Sequence, residues 1–336
     1  MLPDNVRKPA GSHLFFTIGV ILGFLLGHVS FLQLQKNDHS SMQPHPLISQ
    51  KVKSIPQISR YPATNAVMAE GRKSSNRVLC WIPSKDSQGT AIEAVFSTWA
   101  RHCDEIVFTS STANPSRNVV ALELPPLGPQ RSLWNIVVCG WRYVLTRIDE
   151  FDWFVKLDDD TYFSADNFRH RVRNLDPEQP HYLGHTSHHL DYPFNLGAGH
   201  AISRGTLRIV GPRFPSDPDP TKDIVGFHCP RKITWAEDWQ MGKCLTLAGV
   251  GKVTNSRDAQ NRETFMSWLL SDNFITVRRN DSTSWFWRGK PRYVGHGMNC
   301  CSSRPILWHN LKVSDGAVKG MFELEYWLYE AYVDPL

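Results

Sequence analysis

Apolar positions in the middle of the chain alternate between short continuous runs and helical spacing. Largely apolar runs at residues 77–83, 105–109 and 151–157 predict three buried strands. Between them, residues 89–102 and 132–148 carry apolar side chains at intervals of three and four, which predicts two helices. Strands that alternate with helices in this way form a mainly parallel central sheet flanked by helices. We therefore predict the α/β class.

The N-terminal part has a different hydrophobic pattern. Residues 14–34 form one apolar stretch without a charged side chain, and about 20 such residues span a bilayer as a helix. No small-residue cleavage site is clear there, so we expect an uncleaved transmembrane signal anchor instead of a cleaved signal peptide. Arg7 and Lys8 favour a cytosolic tail at residues 1–13, although Lys36 beyond the span weakens this charge bias.

Residues 35–75 are polar, contain four prolines and lack sustained periodicity. Such a composition cannot bury enough apolar surface to offset chain entropy, so we expect an extended, flexible stem. Residues 76–336 are then long enough for one large lumenal domain with its own core. In the anchor, three glycines stand four residues apart, a spacing that lets two helices approach closely and favours a homodimer: Gly19, Gly23 and Gly27.

Charge and cysteine usage restrict the functions open to this domain. The net charge of +5 arises from scattered basic residues, a distribution that gives no support to nucleic-acid binding. All seven cysteines lie beyond the stem, and an oxidising lumen permits disulfides there. Cys80 with Cys103, and Cys229 with Cys244, are the local pairings that we expect.

The other cysteines leave more than one arrangement open. Adjacent Cys300 and Cys301 either form a vicinal disulfide or leave one thiol free. An odd count leaves at least one cysteine unpaired, and we expect this to be Cys139 because it lies inside a predicted helix. Asn280 begins the one glycosylation sequon, which is usable only on the lumenal side.

Three adjacent carboxylates, Asp158, Asp159 and Asp160, follow directly on the predicted strand at residues 151–157. In a mainly parallel sheet, ligands bind outside the carboxyl ends of the strands, where these side chains would lie. Carboxylates one residue apart, as in Asp158 and Asp160, suit a hard cation such as Mg²⁺ or Mn²⁺ that also binds phosphates. The alternative is a strand that ends in a solvated acidic turn.

A second acidic pair, Glu237 and Asp238, stands between Trp235 and Trp239 at a predicted helix start. Aromatic bulk would desolvate these carboxylates, which raises a carboxyl pKa and makes the group a better base. Acidic residues also favour helix N-termini for electrostatic reasons alone, and the sequence supports both interpretations equally.

Gly197 and Gly199 lie in a segment that we predict to be a small-residue turn, where the backbone can approach a ligand closely. A plain turn without a ligand is the alternative. A run of histidines is compatible with zinc, but a closed tetrahedral site requires fixed spacing from two elements, so we disfavour this interpretation. These histidines are His181, His185, His188 and His189.

Taken in order along the chain, these motifs resemble those of the core 1 β-1,3-galactosyltransferases (T-synthases) from about residue 77 onward. No single motif carries the resemblance, which rests on their shared order. The matching motifs are Cys80-Trp81, Thr98-Trp99 with Cys103, residues 153–162, Gly197-Ala198-Gly199 with Ser203, Glu237-Asp238 with Gly242 and Cys244, Ser256-Arg257-Asp258 with Glu263-Thr264-Phe265, Cys300-Cys301-Ser302, and Phe322-Glu323-Leu324-Glu325-Tyr326.

The resemblance implies a GT-A glycosyltransferase fold and an inverting transfer of galactose from UDP-galactose to the 3-hydroxyl of GalNAc O-linked to Ser or Thr of a glycoprotein. It also implies Mn²⁺ as the cofactor and a single-pass type II Golgi membrane protein with a lumenal catalytic domain. By the same match, Asp158, Asp160 and His309 are the expected metal ligands, and Asp158 or Asp159 would lie near the donor ribose and sugar. A packed surface histidine is the alternative for His309.

The family match also implies the reacting groups. Asp238 is expected to take the proton from the acceptor hydroxyl, and Glu237 to orient Asp238 or contact the donor, although the two roles could be exchanged. Gly197 and Gly199 are expected at the donor nucleotide.

Trp285, Trp287 and Tyr326 are the expected acceptor contacts, since flat rings suit the faces of a sugar or a peptide. The sequence departs from the Tyr-rich family pattern at residues 288–293, and the loop at residues 185–195 differs in length, so acceptor choice stays open. Two alternatives remain: a Fringe-like transferase with another donor or acceptor, and a non-catalytic chaperone or glycan-binding relative. The family's chaperone lacks the acidic triplet, which argues against the second.

Overall fold

The computed structural model describes residues 76–84, 89–124, 132–187, 191–215, 229, 236–250, 253–267, 299–311, 320–321 and 323–325. All of them lie in the second of the two units into which the chain divides, Ser74–Leu336. The expected anchor at residues 14–34 and the expected stem at residues 35–75 lie outside these ranges. No helix within the described ranges combines the length and apolarity that crossing a bilayer requires.

Strands and helices alternate through the first half of the described domain. The strands are β1 (Val78–Pro83), β2 (Glu105–Ser110), β3 (Val119–Ala121), β4 (Trp153–Leu157), β5 (Tyr162–Phe163), β6 (Tyr182–Ser187), β7 (Phe194–Ser203), β8 (Phe265–Met266) and β9 (Leu307–Trp308). The helices are α1 (Thr90–Ser97), α2 (Leu133–Leu145), α3 (Ala165–Val172), α4 (Arg204–Val210) and α5 (Glu237–Leu247). Short 3₁₀ turns lie at Trp99–His102, Pro115–Arg117 and Gly211–Arg213.

The central sheet has six strands in the order β3-β2-β1-β4-β7-β6. Strands β3, β2, β1 and β4 are parallel, and β7 runs antiparallel to both of its neighbours. The predicted α/β class with a mainly parallel sheet is therefore confirmed. All five residues of β4 are buried, as expected for a strand that is covered on both faces.

Two predicted elements differ in the structure. The helix predicted at residues 89–102 ends at Ser97 and is followed by a 3₁₀ turn. The turn predicted around Gly197 and Gly199 is wrong, because both glycines lie inside β7. Gly199 pairs with Leu157 of β4, and a Cβ atom on Gly199 would lie 2.3 Å from a methyl carbon of Leu307. Small residues mark close packing here instead of a change in chain direction.

Side chains of β1 alternate between two cores, one on each face of the central sheet. Cys80 and Ile82 pack with residues of α1, α3 and the short strands β5, β8 and β9. Leu79 and Trp81 pack with residues of α2, α4 and α5. Helix α2 approaches closely because residue 140 is glycine: a Cβ atom on Gly140 would lie 2.2 Å from the Trp81 ring.

The expected cysteine pairing is confirmed, and the adjacent cysteines form a vicinal disulfide. The disulfides are Cys80–Cys103, Cys229–Cys244 and Cys300–Cys301. Cys139 is a free, buried cysteine, as predicted. Burial raises the pKa of the Cys139 thiol to about 11, which suppresses the reactive thiolate. The sequon at Asn280 lies outside the described residues.

Candidate active site

The acidic triplet lies where β4 leaves the central sheet, as its place in the sequence predicts. The chain turns at this point, and the Thr161 amide donates to the Asp158 carbonyl at 3.2 Å. Ala198 of β7 holds the turn, because its carbonyl accepts from the Asp158 amide at 3.3 Å and from the Thr161 hydroxyl at 2.9 Å. The carboxylates are thereby fixed at the carboxyl end of a buried strand.

A second, three-stranded sheet in the order β5-β9-β8 brings His309 to this turn. Strand β5 begins two residues after the triplet and pairs antiparallel with β9, so that Tyr162 lies opposite Trp308. His309 is the first residue after β9, and the nearby Leu311 amide donates to the Asp160 carbonyl at 3.0 Å. Strand pairing thus explains why a histidine far along the chain lies beside the acidic triplet.

Asp158, Asp160 and His309 form a group with the geometry to hold a divalent cation. One potential ligand atom from each residue lies within 4.8 Å of the other two. The His309 Nε2 atom is 3.1 Å from Asp160 Oδ1 and 3.7 Å from Asp158 Oδ2. The other ring nitrogen, Nδ1, is 3.0 Å from the Ser267 carbonyl oxygen. A carbonyl can only accept, so Nδ1 carries a hydrogen, and Nε2 is the nitrogen that the neutral ring would offer to a cation in the cluster.

The electrostatics of the cluster favour a positive charge among these side chains. Burial alone would lower the pKa of His309, but its contact with Asp160 outweighs burial and raises that pKa. Burial likewise opposes the ionised form of Asp160, yet His309 lowers the pKa of this carboxyl group. Two carboxylates and one imidazole also suit a divalent cation such as Mn²⁺. The residues present therefore fit the metal that the motifs predict.

Lys156 connects this cluster to the second acidic pair, although the sequence prediction did not include it. Its side chain is 1% exposed, and Nζ donates at 2.7 Å to Asp158 Oδ1, the Gly197 carbonyl and Glu237 Oε1. Burial opposes the charge, but the two carboxylates raise the pKa of Lys156, so it remains protonated. The one sequence signal was a single charged residue inside the apolar run of β4.

Glu237 is the first residue of α5 and is 2% exposed. One of its oxygens accepts from Lys156, whereas Oε2 has no hydrogen-bond partner among the described residues. Burial raises the pKa of Glu237 to about 7, and the charge of Lys156 limits this increase. The desolvation expected for this carboxylate is therefore present.

Asp238 is more open than Glu237 and lies beside β7. Its Oδ2 accepts from the Gly197 amide at 3.2 Å, and its Oδ1 accepts from the Trp239 amide at 2.7 Å. Burial raises the pKa of Asp238, and these hydrogen bonds limit the increase. A Cβ atom on Gly197 would lie 2.9 Å from Glu237 Oε1, so glycine at this position leaves room for the Glu237 carboxylate.

The remaining site residues named from the sequence are Asp159, Gly199, Trp285, Trp287 and Tyr326. Asp159 lies in the turn between the two candidate metal ligands, and Gly199 packs against leucine side chains inside the protein. Their contact with the donor stays a prediction. Trp285, Trp287 and Tyr326, expected at the acceptor, lie outside the described residues.

Two of the four histidines considered for zinc have other partners in the structure. His181 Nδ1 is 3.3 Å from the Thr254 hydroxyl, and His185 Nδ1 is 3.1 Å from the Phe265 carbonyl. The other two histidines of that run lie outside the described residues. Within the ranges described, the group of side chains with metal-binding geometry is the one formed by the two aspartates and the histidine after β9.

Comparison with known proteins gives an independent view of this site. A family model described as Fringe-like matches residues 84–209, which include Lys156 and the acidic triplet. Glycoprotein-N-acetylgalactosamine 3-beta-galactosyltransferase 1 of Xenopus laevis is 28% identical over 325 residues, which cover 93% of this chain and 83% of that protein. A solved structure of a glycosyltransferase involved in the glycosylation of the major capsid of PBCV-1 is 15% identical, covers 39% of this chain and 62% of that chain, and has a TM-score of 0.27, too low to support an argument.

These similarities make the chain a glycosyltransferase. Both matches confirm the resemblance to the core 1 β-1,3-galactosyltransferases that the order of the motifs predicts. The Fringe-like match begins directly after β1 and ends within α4, so it includes β4, β5 and β7, whereas His309, Glu237 and Asp238 lie beyond it.

The cation cluster predicts the effect of removing one ligand. Asp160→Ala should weaken Mn²⁺ binding by about 100-fold or more, because even the loss of groups that only orient ligands costs about 10–100-fold. Asp166→Ala is the matched control, since the Asp166 side chain is 66% exposed on the nearby helix α3. Calorimetric titration of each full-length variant with Mn²⁺ measures the effect. Equal affinities in the two variants would show that Asp160 is not a ligand.

The buried ammonium group gives a second prediction. Lys156→Met should lower the free energy of unfolding by about 3 kcal/mol, because it leaves buried carboxylates without their partner. Adding Glu237→Gln should recover part of that loss, and a double-mutant cycle in urea measures the coupling. Lys243→Met on α5, the helix that begins at Glu237, is the control. The Lys243 ammonium lies near aromatic rings and should contribute about 1 kcal/mol or less to the free energy of unfolding. Additive effects of the Lys156 and Glu237 changes would contradict the assigned pair.

Proposed function

We propose that the protein is an inverting β-1,3-galactosyltransferase that moves galactose from UDP-galactose to the 3-hydroxyl of GalNAc O-linked to Ser or Thr of glycoproteins. The name of the Xenopus laevis relative supports both the acceptor and the linkage. The observation that carries the proposal is the continuous contact from Asp158 through Lys156 to Glu237. This contact joins a cation cluster to a pair of desolvated carboxylates, which are the two parts that such a transfer requires.

In this proposal Asp158, Asp160 and His309 hold Mn²⁺. When bound, the ion supplies positive charge that stabilises the negative charge growing on the departing UDP. Asp158 or Asp159 contacts the donor ribose and sugar, and the glycine backbone of β7 at Gly197 allows close approach to the nucleotide.

Asp238 is better placed than Glu237 to act as the base. Glu237 is almost fully buried and bound to Lys156, which suits it to orient the site. Asp238 is partly exposed, and two backbone amides hold its oxygens at 2.7 and 3.2 Å. Asp238 takes the proton of the acceptor hydroxyl, the hydroxyl oxygen bonds to the anomeric carbon, and the bond from that carbon to UDP breaks. A single displacement of this kind inverts the configuration of that carbon.

The proposal includes the architecture around the catalytic domain. A mainly parallel sheet with an acidic motif after its central strand supports a GT-A fold. The disulfides of the described region support an oxidising compartment, in agreement with a type II Golgi membrane protein. Residues 14–34 would be the anchor, with small residues suited to a homodimer, and residues 35–75 would be the stem.

A related β-1,3-glycosyltransferase with another donor or acceptor is the second candidate. The Fringe-like match at residues 84–209 favours it, because the match includes the region expected to bind the donor. A non-catalytic chaperone or glycan-binding protein has less support, since Asp158, Asp160 and His309 lie together in the structure.

A transfer assay separates these candidates. The full-length protein, supplied with Mn²⁺, UDP-galactose and a GalNAc-threonine peptide, should release UDP and form a β-1,3-linked disaccharide on the peptide. Transfer from a different donor alone would support the second candidate. Acceptor binding without turnover would support the non-catalytic alternative and overturn the proposal.

The same assay tests the assignment of the base. Asp238→Asn should reduce transfer about a thousandfold while leaving Mn²⁺-dependent UDP binding intact, and Glu237→Gln should cause a smaller loss. Because a base acts only when deprotonated, wild-type activity should decrease as the pH falls. The inflection should lie above the ordinary aspartate pKa of about 4, since burial raises the pKa of Asp238. Full activity of Asp238→Asn would show that the base lies elsewhere.

A further inference from the structure

A cavity of about 600 Å³ lies beside the small sheet, at the opposite end of its strands from the cation cluster. Its wall is formed by the C-terminal end of α3 and by the segments that precede β8 and β9, including Thr264 and Ile306. Ile306 precedes β9 and His309 follows it, so about 10 Å of strand separates the cavity wall from the cluster. The proposed transfer reaction does not use this cavity.

The cavity wall is strongly basic. Its arginines come from three separate segments of the chain, whereas one carboxylate lines the same space. A concentration of like charge of this kind is unfavourable unless counter-charges are present. The charged groups are Arg171, Arg173, Arg257, Arg262 and Arg304, together with Asp258.

Carboxylates neutralise two of these arginines. Arg262 Nε lies 2.8 Å from Asp258 Oδ2, in a pair four residues apart. Arg257 is buried, and its Nε lies 3.3 Å from Glu263 Oε2. The acidic side chains at the cavity are thus engaged in ion pairs with Arg257 and Arg262. The guanidinium groups of Arg171, Arg173 and Arg304 remain.

The remaining three guanidinium groups form no ion pair with a carboxylate among the described residues, although the charge of Asp258 acts on Arg171. Arg171 donates to the backbone carbonyls of Asn255 and Ser256. Arg173 donates to the His170 carbonyl at 2.7 Å, and Arg304 Nη1 lies 3.2 Å from the His170 ring nitrogens. These hydrogen bonds give the guanidinium N–H groups partners but do not neutralise the positive charge.

The neighbouring groups respond to this excess of positive charge. Burial, and after it the charge of Arg173, lowers the pKa of Arg171. Desolvation is the largest of the effects that lower the pKa of His170, and the charges of Arg173 and Arg304 lower it further. The ring of His170 is therefore neutral near pH 7. An anion in the cavity would face three guanidinium groups whose planar forks match phosphate and sulfate oxygens.

We propose that this cavity binds a small organic phosphate or sulfate ester, whose oxyanion contacts Arg171, Arg173 and Arg304. The volume supports an ester over a free inorganic ion, since cavities of about 300–1,000 Å³ accommodate ligands of small-molecule size. The remainder of the ligand would pack on the apolar part of the wall at Leu175 and Ile306. Binding at this site is independent of the cation cluster and of the proposed transfer activity.

Titration calorimetry on the full-length, metal-free protein at low salt tests this site. The probes are glucose 6-phosphate and galactose 6-sulfate, and inorganic phosphate is the third arm. None of them contains a nucleoside, which keeps the donor site out of the measurement. We expect one ester per chain to bind, and at least tenfold more tightly than inorganic phosphate.

The variant Arg173→Gln with Arg304→Gln should weaken ester binding about 100-fold, because each lost charged hydrogen bond is worth roughly a tenfold change in Kd. Both side chains are exposed, so the thermal unfolding midpoint without ligand should not change. Arg208→Gln is the matched control: Arg208 is 50% exposed on α4 and pairs with Asp149 and Glu178.

Two results would overturn the proposal. One is the absence of ester binding, or equal affinity in the double variant and the control. The other is equal affinity for inorganic phosphate and the esters, which would show that the arginines attract any anion without a site for an organic group.

Discussion

The positive charge of Lys156, buried in the middle of the central sheet, is the constraint on which the site depends. Water cannot solvate this ammonium group, so three protein oxygens must surround it at 2.7 Å. They belong to the acidic turn after β4, to the backbone of β7 and to the start of α5. Burial of this charge therefore holds Asp158 of the candidate metal cluster close to Glu237, the neighbour of the candidate base Asp238. The ion pairs of Lys156 thus stabilise the core and also hold the two acidic parts of the site together.

The small sheet supplies the second constraint. Asp158 and Asp160 come from one turn, but a third ligand must arrive from a distant part of the chain, and pairing of β5 with β9 delivers it. The Ser267 carbonyl at the end of β8 then selects the tautomer of His309 that presents Nε2 to the carboxylates. At the opposite end of these strands lies the arginine-lined cavity. One small sheet thus separates a cluster suited to a cation from a cavity suited to an anion.

Much of this arrangement follows from the sequence because its causes are local. Continuous apolar runs and helical spacing give the parallel strands and their helices, and three carboxylates after such a run identify the sheet edge at Asp158. The prediction failed where distant packing decides the structure: Gly199 pairs with Leu157 inside a strand, and the side chain of Leu307 fills the space that a larger residue would need. Lys156 was missed for the same reason. Its role depends on Glu237, a partner that hydrophobic periodicity cannot locate, whereas His309 was found through the order of family motifs.

The most direct test of the central claim is a crystal structure of the protein with Mn²⁺ and UDP-galactose, with anomalous scattering recorded at the manganese edge. The account predicts one strong anomalous peak bounded by Asp158, Asp160 and His309, with the diphosphate of the nucleotide against it and the sugar directed toward Asp238. A nucleotide bound elsewhere, with no anomalous signal at the end of β4, would contradict the enzymatic account.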